Sequence, residues 1–436
     1  MSAPSTGRFS YRGRMNVSVR TVIRPQLLLD VVTGELLADR AEVVEGDHVA
    51  GVVAAGDVPA EGAVVVDLPG QTVLPGLIDC HTHLVGEPDS GHGSAEVLAR
   101  TGAQEALSGV RNARDTLLAG FTTVRDVGTL RAFVDVALRD AIDQGWVAGP
   151  RMRVAGAYVT CSGGGGDVTG LAPDADAVVP YELRVGVADS ADEVRRAVRR
   201  VLHGGADFVK VIATGAVMAS GSVPGAPEFT GEQIRAAVEE ASLYGADVAG
   251  HAHGAEGIKR AVRAGVRSIE HGSLMDDESI QLMATAGTFL VADVYNGDYI
   301  AQTGREQGWR ADVLAKNDQT TLAQREGFTK CLAAGVRIAF GTDSGIYPHG
   351  LNARQFAYQV RCGQSPLAAI QSATIHAAEL IRWDDRVGRI APGYLADLIA
   401  VNGNPLLDIR LLENAVFVMK DGVVRHRGPD KQEARG

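Results

Sequence analysis

The sequence of 436 residues has few cysteines and no long apolar run. Its four cysteines, Cys80, Cys161, Cys331 and Cys362, show no Cys-x-x-Cys spacing, which favours free thiols in a reducing compartment over a disulfide framework. Because no apolar run reaches the roughly 18 residues of a transmembrane helix, no membrane partner is expected. Residues 1–19 contain arginines but no apolar segment typical of a signal peptide, so we expect a cytoplasmic protein.

Dense clusters of basic residues are also missing. The chain has 42 lysines and arginines against 53 acidic residues, a formal net charge of -11. This balance argues against nucleic acid as a partner. Glycine, in contrast, is abundant at 53 residues, as is typical of a fold with many tight connections between strands and helices.

Apolar runs alternate with helical patterns through the middle of the chain. Eight runs have the length and composition of strands: 72–83, 121–126, 151–160, 208–213, 247–251, 267–271, 288–292 and 337–341. Helical periodicity lies between them, and Thr230-Gly231-Glu232-Gln233 has the spacing of a capping box. The alternation predicts an α/β fold, a (β/α)8 TIM barrel over residues 67–385.

An open, doubly wound sheet is the alternative fold. It usually has five to seven strands and a glycine fingerprint for phosphate. The glycine run Gly163-Gly164-Gly165-Gly166 follows a predicted strand but leads into no helix, so we interpret it as a flexible loop. The barrel is therefore favoured.

The two ends of the chain have a different pattern. Residues 1–66 contain short β-branched runs separated by turn residues, and residues 386–436 contain a strand followed by a hairpin signal at Lys420-Asp421. We expect both ends to join in one small discontinuous β-sandwich domain beside the barrel.

Potential metal ligands recur where the predicted strands end. His81 and His83 alternate along the first strand, so both face the same way and can chelate a divalent cation. Further candidates end strands four, five, six and eight: Lys210, His251, His271 and Asp343. Each has an ordinary structural explanation when taken singly. In a barrel, however, these strand ends surround one cavity, and the joint pattern predicts a metal centre there.

This pattern closely resembles the amidohydrolase superfamily, in the subset that binds two metals. The matching segments are Pro75-Gly76-Leu77-Ile78-Asp79-Cys80-His81-Thr82-His83, Val209-Lys210-Val211, His251-Ala252-His253-Gly254, Ser268-Ile269-Glu270-His271-Gly272 and Gly341-Thr342-Asp343. Within the superfamily, the chain looks most like the branch of metal-dependent Xaa-Pro dipeptidases and carboxypeptidases. Enzymes that hydrolyse ochratoxin, an N-acyl phenylalanine, belong to that branch.

The resemblance implies a role for each candidate ligand. His81 and His83 are expected to bind the more buried metal with Asp343, and His251 and His271 the more exposed one. Lys210 is expected to bridge the two as an N-carboxylated lysine, because an ammonium group would repel two cations. The histidine-rich ligand set favours zinc.

The resemblance also implies a reaction. Asp343 is expected to take a proton from an attacking water and to deliver it to the leaving amine of a small amide or dipeptide. His253 is expected to contact the substrate and to help stabilise the oxyanion. Tyr295 and His253 are the candidates for binding the substrate carboxylate. Relatives commonly form homo-oligomers, so we expect one here.

One position departs from the branch, in which a histidine often lies within the glycine run. Gly165 occupies that place here, so the substrate contact of that histidine is missing or supplied elsewhere. Two alternative functions remain within the superfamily: a cyclic-amide hydrolase similar to imidazolonepropionase, or a deaminase with a single metal. A third alternative is a scaffold without catalytic activity, although no candidate ligand is missing.

Overall fold

The computed structural model describes residues 20–58, 62–87, 91 and 93–428. Its strands are β1 (Arg20–Leu29), β2 (Leu36–Leu37), β3 (Arg40–Glu45), β4 (His48–Ala54), β5 (Ala63–Pro75), β6 (Leu77–Thr82), β7 (Phe121–Asp126), β8 (Arg151–Val154), β9 (Tyr158–Val159), β10 (Val209–Ile212), β11 (Val248–Gly254), β12 (Ser268–Leu274), β13 (Phe289–Val291), β14 (Leu398–Asn402), β15 (Phe417–Lys420) and β16 (Val423–Arg427). Its helices are α1 (Gly102–Leu118), α2 (Val134–Asp143), α3 (Pro173–Asp176), α4 (Ala191–His203), α5 (Gly231–Ser242), α6 (Ala255–Ala264), α7 (Asp277–Ala286), α8 (Asn296–Gln307), α9 (Ala311–Ala333), α10 (Arg354–Arg361), α11 (Pro366–Ser372) and α12 (Ile375–Leu380).

A parallel barrel forms the centre of the molecule, as the strand and helix pattern predicts. β6, β7 and β8 are neighbours in one sheet, and β9 to β13 follow in order in a second. Apolar side chains of these strands are buried against the surrounding helices. The predicted capping box is present, since the Thr230 side chain accepts from the Gln233 N–H at the start of α5.

The third and eighth strand positions differ from the prediction. The predicted strand 151–160 is divided at residues 155–157, where Gly156 has a φ of 73°, so β8 pairs with β7 and β9 with β10. The eighth position is a short irregular segment rather than a regular strand. Its backbone still closes the ring, because Leu290 N–H donates to the Arg337 carbonyl and Cys80 N–H to the Phe340 carbonyl, both at 2.8 Å.

The described parts of the two terminal regions share one sheet of eight strands, in the order β16-β15-β14-β5-β1-β3-β4, with β2 paired to β1. Residues 1–19 and 429–436 of the predicted terminal domain lie outside the described residues. The two ends therefore combine as expected, while two stacked layers of a sandwich and the boundaries at residues 66 and 385 stay predictions. β5 runs across the first of these boundaries and pairs with both β1 and β14. Among the described residues, no helix is both long and apolar enough to cross a bilayer.

The passage from this sheet into the barrel occurs at Gly76, between β5 and β6. A Cβ at this position would lie 2.2 Å from the Thr122 Oγ1 atom, so the chain can pass β7 closely only as glycine. The Gly76 N–H donates to the Asp397 carbonyl, and the next N–H, of Leu77, donates to Gly120. These contacts fix the direction in which β6 enters the barrel, and His81 lies within β6.

Candidate metal centre

A cavity of about 290 Å³ opens where the barrel strands end. Its lining includes all the predicted ligands, namely His81, His83, Lys210, His251, His271 and Asp343, together with His253. This volume lies at the lower end of the range for small-molecule sites. Side chains from four barrel strands and the closing segment therefore meet in one place, as the strand-end pattern predicts.

Asp343 lies against His81, which belongs to β6, and against His83, which follows β6 directly. Its Oδ1 atom is 3.4 Å from His81 Nε2 and 3.3 Å from His83 Nε2. Although burial alone would raise the pKa of Asp343, its contacts with these histidines hold that pKa well below its ordinary value. Asp343 and His271 both have positive φ, 56° and 68°, a strained conformation that occurs preferentially at functional sites.

Three more imidazoles lie together in the site. The rings of His251, His253 and His271 have centroids 4.6 to 4.8 Å apart, and each offers a ligand atom within 4.8 Å of the others. Burial lowers the pKa of His253 to about 3 and lowers that of His251 well below its ordinary value. Neutral imidazole is the form that binds a metal, so this environment suits a ligand set.

Lys210 is the most unusual side chain of the site. It is buried, and its Nζ atom has no hydrogen-bond partner among the described residues. Burial lowers the pKa of Lys210 to about 8. An unsatisfied buried amine is costly, and a group bound at this nitrogen would remove that cost. The residues present therefore fit a centre of two divalent metals.

Several polar residues that hold these ligands were not predicted. Glu270 contacts His81 Nδ1 at 2.9 Å, and Asp293 contacts His271 Nδ1 at 3.0 Å. Asn296 donates to both Asp293 and Asp343 at 3.1 Å. Asp293 lies just beyond β13, so the rule of polar residues at strand ends could have found it.

Tyr295 follows the seventh barrel strand, as the sequence predicts, but the structure does not bring it to the cavity. It does not line the cavity, and its hydroxyl accepts a hydrogen bond from Arg354 at 3.1 Å. Its ring packs against Tyr347 and Tyr358 at centroid distances of 5.1 Å. The structure therefore does not support Tyr295 as a residue that binds substrate.

The glycine run is a hydrogen-bonded turn in the structure and not an open loop. The Gly163 N–H donates to Asp167 at 2.9 Å and the Gly165 N–H to Glu228 at 2.7 Å. A Cβ at Gly165 would lie 2.9 Å from that of Ala216, so no side chain fits there without displacing its neighbours. Only backbone lines the cavity at the place where relatives often carry a histidine.

Comparison with known proteins agrees with this geometry. Residues 72–426 match the model of the amidohydrolase family. The chain is 32% identical over 417 residues to an ochratoxinase from Aspergillus niger, across 91% of this chain and 84% of the relative. The chain belongs to the amidohydrolase family.

Solved structures extend the comparison to the branch. A Xaa-Pro dipeptidase with methionine bound in its active site matches this amidohydrolase with a TM-score of 0.86 and 38% identity, over 93% of this chain and 99% of that one. A prolidase complexed with N-methylphosphonate-L-proline matches with a TM-score of 0.86 and 30% identity, over 94% and 100%. The predicted family and branch are confirmed, and this amidohydrolase is a hydrolase acting on C–N bonds.

Proposed function

We propose that this amidohydrolase cleaves the amide bond of an N-acyl amino acid or a dipeptide, with a free carboxylate on the amine side. The observation that carries the proposal is the unsatisfied Lys210 amine inside a ring of buried histidines and Asp343. The relatives act on or bind molecules of this kind, as ochratoxinase, Xaa-Pro dipeptidase and prolidase. An ochratoxin-like N-acyl phenylalanine and Xaa-Pro dipeptides are the first substrates to test.

His81 and His83 would hold one cation with Asp343, and His251 and His271 the other, with carboxylated Lys210 between them. The pKa of about 8 supports the modification, because a neutral amine is needed to attack carbon dioxide. We propose zinc, since imidazole nitrogens dominate the set. When bound, the two cations would lower the pKa of the attacking water and polarise the substrate carbonyl.

The proton transfers are assigned to Asp343. Its low pKa keeps it ionised at neutral pH, so it accepts the proton of the attacking water and later gives it to the leaving amine. The Asn296 side chain, 3.1 Å from its Oδ2 atom, holds the carboxylate in place for both steps.

His253 supports the developing oxyanion. Its Nδ1 atom lies 2.8 Å from the Ser273 hydroxyl, and its pKa of about 3 keeps the ring neutral. When Ser273 donates to Nδ1, the proton of the ring lies on Nε2, which is then a hydrogen-bond donor toward the cavity. The oxyanion accepts this bond as the carbonyl becomes tetrahedral.

The cavity wall supports a substrate with an apolar group. The apolar lining residues are Val217, Met218, Ile300 and Ile346, and they belong to one apolar cluster that also includes Trp309. Deaminases with one metal do not need a lysine at this position, so Lys210 favours amide hydrolysis with two metals. A cyclic amide remains the second candidate substrate, because the same chemistry would open it.

The decisive test is a substrate panel with metal-free and metal-loaded enzyme. We expect chelator-treated protein to be inactive and to regain hydrolysis of N-acyl amino acids or dipeptides with zinc and bicarbonate. Cyclic amides and aminated bases in the same panel test the two alternatives. Full activity after metal removal would contradict the proposal.

Lys210→Ala tests the bridging role. This variant should lose activity and regain part of it with short-chain carboxylic acids, which can take the place of the carbamate. Lys330→Ala is the matched control, since Lys330 is exposed and contacts only Asp277 through its side chain. Full activity of Lys210→Ala without added acid would remove Lys210 from the mechanism.

A further inference from the structure

We propose that Arg100 binds the free carboxylate of the substrate and thereby sets a preference for carboxylate-ended amides. This inference rests on the proposed function, because it concerns the end of the same substrate that is not cleaved. It also fills the role for which Tyr295 is unsuited, since Tyr295 lies outside the cavity.

The cavity needs a cation for such a substrate. Glu105, Asp293 and Asp343 line it, and their negative charges repel a carboxylate. Among the described lining residues, the basic side chains are Arg100, Arg131 and Lys210, and Lys210 loses its positive charge when it is carboxylated as proposed. Lys210 is surrounded by the histidines, so the two arginines are the candidates for the far end of the substrate.

Each side-chain nitrogen of Arg131 already donates a hydrogen bond. Its Nε atom donates to Glu105 at 3.1 Å, and a second nitrogen donates to Glu182. The third nitrogen donates to the carbonyl oxygens of Val97 and Arg100, at 3.1 and 2.8 Å. The side chain is only 8% exposed, so a substrate would have to displace these partners to reach it.

Arg100 differs from Arg131 in the hydrogen bonding of its side chain. Its carbonyl is held by Arg131, which fixes the backbone just before the N-cap of α1 at Thr101. Its guanidinium makes no hydrogen bond or ion pair with any residue that the structure describes. Its charge acts only at a distance, opposing the burial that raises the pKa of Glu105.

These contacts give the two arginines different roles. Glu105 is held by Arg131 and is therefore not available to Arg100. A half-buried guanidinium beside a cavity can bind a carboxylate through two parallel hydrogen bonds, which an ammonium group cannot match. Arg100 thus supplies the geometry and the charge that a substrate carboxylate requires.

The test compares an N-acyl amino acid with its C-terminal carboxamide, using metal-loaded enzyme. Arg100→Met should lose about 10- to 100-fold in kcat/KM on the acid, mostly through KM, and little on the carboxamide. Arg100→Lys should keep part of the preference. Arg114→Met is the control, because Arg114 is exposed on α1 and contacts only its neighbour Asp115. Equal losses on both substrates, or no loss on the acid, would overturn the inference.

Failure of the proposed function gives a different result. In that case wild-type enzyme cleaves neither compound, and Arg100 is tested by calorimetric binding of the same acid and carboxamide. Tighter binding of the acid to wild type than to Arg100→Met would support the inference. Equal binding of the acid to both proteins would overturn it.

Discussion

Replacing Glu270 by glutamine should lower both the stability of the fold and the metal affinity of the candidate site. The Glu270 side chain is fully buried. Its Oε1 atom accepts from Arg125 at 2.7 Å and from Ser268 at 2.5 Å, and its Oε2 atom contacts His81 Nδ1 at 2.9 Å. Burial would raise the pKa of Glu270, but the charges of Arg125 and Lys210 lower it well below its ordinary value. Glu270 is therefore a carboxylate with both oxygens in use.

Glutamine cannot reproduce this pattern, because it has one oxygen and one NH2 group. If the oxygen stays on Arg125 and Ser268, the NH2 group faces His81 Nδ1 and makes that atom an acceptor. The ring proton then moves to His81 Nε2, the atom that faces Asp343. The lone pair that a metal would use is lost. If the amide turns over, two donors face the Arg125 guanidinium.

The size of the effect follows from the burial of both partners. The Arg125 and Glu270 side chains are 5% and 0% exposed, and breaking such an ion pair costs about 3–5 kcal/mol of unfolding free energy. Loss of a residue that orients a metal-bound histidine typically costs about 10- to 100-fold in metal affinity. Both losses are expected together in Glu270→Gln.

Glu240→Gln is the matched control. Glu240 also binds an arginine, Arg199, at 2.6 Å, but the Arg199 side chain is 59% exposed and returns to water when its partner is neutralised. The expected loss in this control is at most about 1 kcal/mol. Urea unfolding of metal-free protein and competition with a chromophoric chelator measure the two quantities. Equal stability of the two variants, with unchanged metal affinity in Glu270→Gln, would refute the reasoning.

Two further predictions concern other buried carboxyl groups. Asp343→Asn should still bind metal but lose several orders of magnitude in kcat, because the amide cannot accept the water proton; an unchanged rate would remove Asp343 from the proton transfers. Burial raises the pKa of Glu42 to about 8 from 4.5, so the fold keeps a proton that the unfolded chain loses, and wild-type stability falls as pH rises through this window. The stability of Glu42→Gln relative to wild type should therefore rise by about 2.5 kcal/mol between pH 5 and pH 7. Parallel stability curves would show that Glu42 is ionised in the fold.

Much of the barrel was predictable because its strands obey local rules. The predicted runs at 208–213, 247–251 and 267–271 overlap β10, β11 and β12, whose apolar residues are continuous and bounded by turn residues. The break in the third strand could not be predicted from local sequence. It lies at Gly156, between β8, which pairs with β7, and β9, which pairs with β10. The eighth segment is held by contacts with β13 and β6, which local propensity does not encode.

The site shows the same division between local and distant causes. His81, His251 and His271 could be predicted, because a strand end in a barrel fixes where a side chain points. Tyr295 follows a strand too, but Arg354 and Tyr358 turn it away from the cavity, and they lie about sixty residues further along the chain. Arg100 lies in a loop, where no periodicity assigns a direction. Arg100 is distinguished from Arg131 because Arg131, and not Arg100, pairs with Glu105. That pairing exists only in the folded chain. In the proposed function, substrate preference therefore depends on a loop residue, whereas most of the candidate metal ligands lie on strands.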